Sequence, residues 1–273
     1  MRYVTKFKIV CRSENYSRVR DVLRGYGLDT HWRDVIELSF EKSDSRRHEI
    51  EKELERVGYA PFVDYEPVFE PWEVEQAELL HLFVSALCGQ SFAEWAKQLD
   101  LPPETPVIDM REMGKEDIAH TFAFDIVISE RLKRILSEGG LSGWNVQPIQ
   151  HRDPRKDQYP PLYHLTATNE LPPLAPETEL HEEKHTKPLE WPYGHPWQGQ
   201  PDPLLGTTGL FQRGPLYYRR ADLTRVEDFN RSHELFGEEP QKHPSLIISQ
   251  RAWQVLSKHK IRKVDVEPVV ILD

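Results

Sequence analysis

The sequence predicts a mixed α+β protein, with an N-terminal α/β sandwich unit followed by a C-terminal domain built on two related β-α-β units. Three observations predict it: strand and helix patterns alternate early in the chain, a repeat occurs later, and a long Pro- and His-rich insert separates the two copies. At 273 residues the chain is long enough for one large domain or two ordinary ones. We expect two, at residues 1–105 and 106–273.

The first 70 residues show the alternation. Three β-favouring runs enclose two segments with helical spacing of apolar residues, such as Ile50, Leu54 and Val57. This predicts a β-α-β-α-β order. The five segments are residues 6–11, 13–27, 34–40, 43–58 and 61–69.

An acidic segment comes next. Apolar residues between Val74 and Val84 are interleaved with carboxylates, which predicts a helix, and FAEWAKQL at 92–99 predicts a second, shorter one. The prolines of LPPETP, at 101–106, end this helical region because consecutive prolines cannot continue a helix. We therefore place the domain boundary there.

The repeat lies in the second half of the chain. Residues 126–149 and 246–269 align at an offset of 120 without a gap, and 7 of the 24 aligned pairs are identical. Ser129 and Ser249 each stand between an apolar strand and a short helix, where a hydroxyl can cap the first free helix N–H groups. A turn and a second strand follow in both copies, so each is predicted to be a β-α-β unit, at 124–149 and 244–271.

Two arginines are shared by the copies. Arg131 and Arg251 lie at the same place in the first turn of each predicted helix. We expect them to pack the helices or lie on the surface, with binding of a shared anion or partner as the alternative. Between the copies, the Pro- and His-rich insert at 150–240 predicts irregular loops and short strands, with one helix near 223–237.

Charge is concentrated in one window. The net charge is -10, and residues 61–120 contain 3 Lys+Arg against 13 Asp+Glu. This balance disfavours nucleic acid and favours a protein partner with a basic surface; a solvated helix face is the plainer interpretation. The acidic residues expected to bind the partner are Glu66, Glu70, Glu73, Glu75 and Glu78.

The composition also bears on location. The chain starts without an apolar signal-peptide core and contains no run of about 18 apolar residues, so we expect no membrane insertion. Cys11 and Cys88 are the only cysteines, too few for a disulfide framework. We therefore expect a cytoplasmic protein.

Residues 181–185, HEEKH, match the H-E-x-x-H pattern of zinc proteases. That chemistry needs both histidines on one face of a rigid helix and a third ligand, but Pro188 and Trp191 stand where the extended pattern has Gly and His. We expect a polar turn and no cofactor. A non-catalytic zinc contact by His181, His185 and His195 is the alternative.

The order of the C-terminal segments resembles the double-CxxCG motif family of bacterial immunity proteins, which neutralise a contact-delivered toxin. The resemblance spans about 107–273, and the strand-Ser-helix-strand ending in V-x-P is shared with other predicted immunity families of polymorphic toxin systems. It rests on IVISERLKRILSEGGLSGWNVQPI, LPPLAPETEL, GPLYYRRADLTRVEDFNRSHELFG and LIISQRAWQVLSKHKIRKVDVEPV.

The resemblance implies a non-enzymatic protein that occludes a cognate toxin. Aromatic residues of the insert, such as Trp191 and Trp197, would then anchor the partner beside the acidic residues. No cysteine follows Cys88, so both CxxCG pairs are absent and the zinc they would hold is not implied here. A metal-dependent hydrolase using HEEKH and an unrelated protein-interaction module are the alternative functions.

Overall fold

A computed structural model describes residues 2–10, 16–28, 35–41, 46–58, 62–102, 105–152, 159–184, 207–212, 214–238 and 242–273. The chain is a mixed α and β protein, as the sequence predicts. Contacts divide the described residues into two compact units, one ending at Glu70 and the other beginning at Pro71.

In the first unit, strands and helices follow one another in the predicted order. The three strands form an antiparallel sheet with the first strand in its centre. The two helices contact each other, and each buries one face through Val19 and Leu23 or through Ile50 and Leu54. The elements are β1 (Arg2–Val10), α1 (Tyr16–Gly25), β2 (Val35–Glu41), α2 (Arg46–Arg56) and β3 (Phe62–Val68).

The second unit is richer in strands. Most of them are short, and 3-10 helices occur at Met110–Met113 and Arg220–Asp222. Its elements are α3 (Pro71–Gln76), β4 (Leu79–Val84), α4 (Phe92–Gln98), β5 (Val107–Ile108), β6 (Ile118–His120), β7 (Ile126–Ser129), α5 (Glu130–Glu138), β8 (Trp144–Pro148), β9 (Gln150–His151), β10 (Leu162–Ala167), β11 (Asn169–Glu170), β12 (Leu180–Lys184), β13 (Thr208–Gln212), β14 (Tyr217–Arg219), β15 (Phe229–Glu238), β16 (His243–Ser249), α6 (Gln250–Lys258), β17 (Val264–Pro268) and β18 (Val270–Leu272).

Two sheets carry the repeat. One has the order β6-β7-β10-β8, and the larger one has the order β12-β13-β15-β16-β4-β17, with β11 beside β15. In each sheet the two strands of the repeat are separated by a third strand that pairs antiparallel with both. That central strand is β10 for the first copy and β4 for the second, so the second copy is completed by a strand that lies far before it in the chain.

The central strands occupy matching registers. Tyr163 of β10 pairs with Ile128, and Leu80 of β4 pairs with Ile248, its counterpart in the second copy. The sequences LYHLTA and LLHLFV therefore coincide position by position. One consequence is that His164 and His81 occupy equivalent places in the two sheets.

Both sheets contribute to one hydrophobic core. Matched positions of the two copies meet there, which explains why apolar character is retained at these positions although few residues are identical. Its buried members are Leu80, Leu82, Ile118, Ile128, Leu132, Ile135, Leu136, Leu141, Leu165, Phe229, Ile248, Ala252, Leu256 and Ile261.

The helix expected up to Val84 is wrong beyond Gln76, because Leu79–Val84 is strand β4. The run LLHLFV is buried over its first four residues between β16 and β17, and such a continuous apolar run suits a strand with neighbours on both edges. This pairing ties β4 to the C-terminal repeat. The division of the chain accordingly falls after Glu70 rather than near residue 105.

The helix expected near 223–237 is also wrong, since Phe229–Glu238 is strand β15. Two of its buried side chains are polar, Asn230 and Ser232. Asn230 Nδ2 donates to the carbonyl oxygens of Glu227 at 2.7 Å and Ile247 at 3.2 Å. Because the buried face is partly polar, its alternation is invisible in a hydrophobicity pattern.

No helix in the described part of the chain has the length and apolar content needed to cross a membrane.

Candidate functional site

The two repeated serines are helix caps. Leu132 N–H donates to Ser129 Oγ at 3.1 Å, and Ala252 N–H donates to Ser249 Oγ at 3.0 Å. Each hydroxyl in turn donates to an aspartate, Asp117 in the first copy (2.8 Å) and Asp228 in the second (2.6 Å). The predicted capping role is confirmed, and each hydroxyl also donates its proton to the aspartate.

The two repeated arginines hold the copies together. Arg131 pairs with Asp117 and donates to the carbonyl oxygen of His259 at 2.9 Å. Arg251 pairs with Asp228 at 3.1 Å and donates to the carbonyl oxygen of Gly139 at 2.7 Å.

His259 and Gly139 are themselves equivalent residues at the ends of α6 and α5. The arginine of each copy therefore binds the C-terminal end of the helix in the other copy. Reciprocal contacts of this kind are those of an approximate two-fold arrangement. The packing role expected for the arginines is the one observed.

In its described part the HEEKH segment forms neither the helix of a zinc protease nor the polar turn that we expected. Residues 180–184 are strand β12, in which His181 pairs with Phe211 of β13. The second histidine, His185, and the third candidate ligand, His195, lie outside the described residues. Within the described ranges, no three His, Cys, Asp or Glu side chains are placed to hold a metal ion.

The acidic candidates are dispersed. Glu66 lies on β3 and Glu70 at the end of the first unit, whereas the other three belong to the second. Glu70 and Glu73 are half-buried and each has an interaction within the chain. Glu75 is exposed.

Glu78 already has an internal cation. Its two carboxylate oxygens accept from Arg220 at 2.6 and 3.1 Å, and this hydrogen bonding lowers the pKa of the Glu78 carboxyl. Glu78 is thus less available to a partner than its sequence suggests. The candidate anchors Trp191 and Trp197 lie outside the described residues.

A cleft that the sequence did not indicate lies between the repeated sheets. It has a volume of about 360 Å³ and a largely apolar wall. Strands β4, β13, β15 and β16 and the 120–126 segment form that wall. Its aromatic members are His81, Phe83, His120, Phe124, Phe211, Phe236 and His243.

A second cleft of about 270 Å³ adjoins the first and shares one wall with it, which includes Phe124, Ile126, His243 and Leu246. Ile126 and Leu246 are equivalent residues of the repeat. The remaining walls come from equivalent central strands, β4 in the first cleft and β10 in the second. We call them the β4 cleft and the β10 cleft.

The β4 cleft has a neutral imidazole in its wall. His81 is 7% exposed, and its burial, with a smaller contribution from the charge of His243, lowers the pKa of the imidazole to about 3. Gln212 Nε2 lies 3.4 Å from both His81 Nδ1 and the Gly214 carbonyl oxygen.

That carbonyl can only accept, so the amide nitrogen of Gln212 faces both groups and donates to Nδ1. This arrangement favours the tautomer of the neutral ring that carries its proton on Nε2. Nε2 makes no hydrogen bond with any residue that the structure describes. The cleft wall therefore contains an uncommitted hydrogen-bond donor.

A short hairpin loop, TFAFD at 121–125, borders both clefts. Its ends are joined by hydrogen bonds from Thr121 N–H to the Asp125 carbonyl (3.0 Å) and from Thr121 Oγ1 to Asp125 Oδ2 (2.6 Å). Phe124 has φ +62°, a left-handed conformation that is strained for a phenylalanine. Its ring stacks between His243 at 3.8 Å and His120 at 5.1 Å.

This loop exposes large apolar side chains. Phe122 is 52% and Phe124 43% exposed, and Leu87, on the neighbouring segment, is 46% exposed. The two segments are joined by hydrogen bonds between Cys88 and His120 and between Phe122 and Gly89. We call Leu87, Phe122 and Phe124 the apolar rim.

Sequence reasoning missed the clefts and the rim. Two signals were present: the pair of phenylalanines in TFAFD, and the common L-x-H-L of LYHLTA and LLHLFV. The shared L-x-H-L lies outside the aligned copies. Strand β4 precedes both copies in the chain, whereas β10 follows the first copy.

Comparison with known proteins finds no matching family model, no matching curated protein and no matching solved structure.

Proposed function

We propose that the chain is a non-enzymatic immunity protein, which binds a cognate bacterial toxin one to one and neutralises it by covering its surface. The observation that carries the proposal is the apolar rim, three exposed large side chains on two segments that backbone hydrogen bonds join. Rigid aromatic groups surrounded by polar residues are typical of binding hot spots. The family resemblance of the repeated segments supports the same function.

The chemistry of the repeat is consistent with binding. The Ser, Arg and Asp residues common to both copies are hydrogen-bonded to one another and to helix ends, so they stabilise the fold. The central strands that complete the two copies differ beyond their shared histidine, with Phe83 and Val84 in one and Thr166 and Ala167 in the other, and these residues line the clefts. Variation at a surface supported by a fixed frame suits recognition of one particular partner.

Charge defines the partner further. The net charge of -10 favours a basic toxin surface, attracted over a distance by exposed residues such as Glu75. Glu70 and Glu73 would add to this field, while Glu78 contributes less because Arg220 neutralises it. We place the protein in the bacterial cytoplasm, where such a toxin would act.

The test is protection from the product of the adjacent gene. The two proteins are expressed together in a bacterial host, and growth is compared with that of cells making the adjacent protein alone. We expect restored growth and a 1:1 complex on size-exclusion chromatography. A toxic product that is neither bound nor neutralised would contradict the proposal.

A parallel measurement separates this function from a metal-dependent hydrolase. The untagged protein is dialysed with zinc and analysed for bound metal. We expect less than one zinc ion per chain and unchanged protection after treatment with a chelator. Stoichiometric zinc that is required for protection would favour the role of His181, His185 and His195 instead.

A further inference from the structure

The β4 cleft has the features of a pocket for a single aromatic ring. Its volume of about 360 Å³ is at the lower end of the range for ligand sites, and ring-bearing side chains make up much of its wall. His81 and Phe83 have ring centroids 4.0 Å apart, which gives the wall a tilted pair of rings against which a third ring can pack.

The polar group in this wall selects among aromatic rings. Because His81 is neutral and carries its proton on Nε2, it can donate one hydrogen bond to an oxygen that enters the cleft. A phenol oxygen accepts such a bond, whereas an indole N–H can only donate and a phenyl ring has no polar atom. A carboxylate would be disfavoured, because the largely apolar wall would leave its charge unsolvated.

The surroundings of the cleft indicate a protein as the source of the ring. Phe124 belongs both to the cleft wall and to the apolar rim, so the apolar surface continues from the pocket onto Phe122 and Leu87. A small free molecule would be held within the cleft and leave these side chains in water. A partner that inserts one side chain would cover them.

The net acidity of the chain adds that the partner is basic overall. We propose that the β4 cleft is the pocket for a tyrosine side chain of the toxin, with His81 Nε2–H donating to the phenol oxygen. This inference rests on the proposed function. It names the anchor residue type and the group that recognises it.

The β10 cleft supplies an internal control. It has His164 at the position of His81, but Thr166 and Ala167 replace Phe83 and Val84. Charged Asp125, Arg231 and Lys242 also line it. The equivalent histidine therefore lies in a smaller, more polar cleft that lacks a counterpart of the Phe83 ring, and it should not bind the phenol.

The first experiment uses N-acetyl-L-tyrosinamide and N-acetyl-L-phenylalaninamide as probes in an NMR titration of the full chain. We expect the tyrosine probe to bind with a Kd on the order of 1 mM and about 5- to 10-fold more tightly than the phenylalanine probe, the effect of one neutral hydrogen bond. His81→Phe should abolish this preference, and His164→Phe should preserve it. Equal binding of the two probes to the unaltered protein would overturn the assignment of His81.

The second experiment fills the cleft. Val84→Phe places a ring in the β4 cleft, and Val226→Phe makes the same substitution at an exposed site elsewhere. We expect Val84→Phe to weaken binding of both the tyrosine probe and the toxin at least about 30-fold. Val226→Phe should bind both with nearly the affinity of the unaltered protein. Circular dichroism of both variants checks that they are folded. If Val84→Phe is not folded, the affinity of His81→Phe for the same two ligands tests the pocket independently.

The outcomes separate the two proposals. Toxin that binds Val84→Phe with full affinity overturns the pocket and leaves the immunity function standing. A chain that binds no toxin overturns the immunity function, and the partner assignment of the pocket with it. If the tyrosine probe then still binds the unaltered protein and does not bind Val84→Phe, the cleft would be reassigned to a free phenolic ligand.

Discussion

The two halves of the C-terminal unit share a frame and differ in their clefts. Each half has a capped helix between two strands, an aspartate that joins its Ser and Arg, and a central strand with a histidine at the same register. Beyond the histidine the central strands diverge, with Phe83 and Val84 in one and Thr166 and Ala167 in the other. The retained Ser, Arg and Asp residues account for the shared frame, whereas the clefts are lined by the shared histidine and by the divergent residues beyond it.

The turns after the helices show a second difference. Both copies place residues with positive φ at matching positions, Gly140 and Gly143 in the first and Lys260 and Lys263 in the second. Glycine adopts this conformation without strain, whereas lysine does not. The first copy therefore has a relaxed turn and the second a strained one.

The largest expected effect is at Gly143. A Cβ there would overlap the Phe229 carbonyl oxygen and the Glu227 side chain, in addition to the strain of φ +79°. We expect Gly143→Ala to lower the free energy of unfolding by about 3 kcal/mol in urea denaturation. Gly140→Ala is the control, since its Cβ meets only Arg251 Nη2, at an ordinary contact distance of 3.6 Å; it should cost about 1 kcal/mol. Equal losses would mean that the close approach at Gly143 is not rigid.

The aspartates should differ as well. Asp228 is 7% exposed and accepts from Ser142 N–H, Ser249 Oγ and Arg251, whereas Asp117 is more exposed and joins Ser129 and Arg131. Removing the more buried acceptor leaves more donors without a partner. We expect Asp228→Ala to destabilise by about 3 kcal/mol and Asp117→Ala by about 1 to 2 kcal/mol. A reversed order, measured in the same denaturation assay, would contradict the comparison.

The equivalent histidines should respond differently to acid. Burial lowers the pKa of His81 from 6.5 to about 3. Between these two pH values the histidine binds a proton in the unfolded chain and remains neutral in the folded chain. The free energy of unfolding is therefore highest above about pH 6.5 and decreases as the pH falls towards 3. The loss at about pH 5, relative to about pH 8, is on the order of 2 kcal/mol.

His81→Phe should remove this part of the pH dependence. His164, whose pKa is also lowered by burial but is partly raised again by Asp125, should contribute less. The measurement is urea unfolding at several pH values for both His→Phe variants. An identical change of slope in the two would show that the β4 cleft is no more desolvated than the β10 cleft.

Local signals explain which parts of the fold were predictable. Ser129 and Ser249 were recognised as caps because capping depends on neighbours three residues away. Strand β4 was not recognised, since its conformation is decided by pairing with β16 and β17, more than 160 residues later. Strand β15 was missed for another reason: its buried Asn230 and Ser232 do not look like core residues in a sequence.

The candidate site was harder to predict from the sequence than the fold. The acidic residues could be found by counting charges, but Glu78 proves to be paired with Arg220, a residue 142 positions away. The β4 cleft combines side chains from six strands, β4, β6, β7, β13, β15 and β16, and from the TFAFD loop. Only the strand order, which the sequence does not state, brings His81, Gln212 and Phe124 to one wall.

The smallest expected effect concerns the strained turn of the second copy. Replacing Lys263, at φ +64°, with glycine removes the strain and should raise the free energy of unfolding by about 0.5 kcal/mol. Lys258→Gly is the matched control, because the same change at a helical residue should lower it by about 1 kcal/mol. Destabilisation by Lys263→Gly would indicate that the lysine side chain contributes more than its backbone costs.

The apolar rim is the surface to which we assign binding of the partner. The most direct measurement is the affinity of the toxin for the double variant Phe122→Ala/Phe124→Ala, compared with Leu235→Ala, which removes an equally exposed side chain (49%) that lines neither cleft. We expect the double variant to weaken binding by at least about 100-fold and Leu235→Ala by less than about 3-fold. Comparable affinities for the two variants would contradict the account.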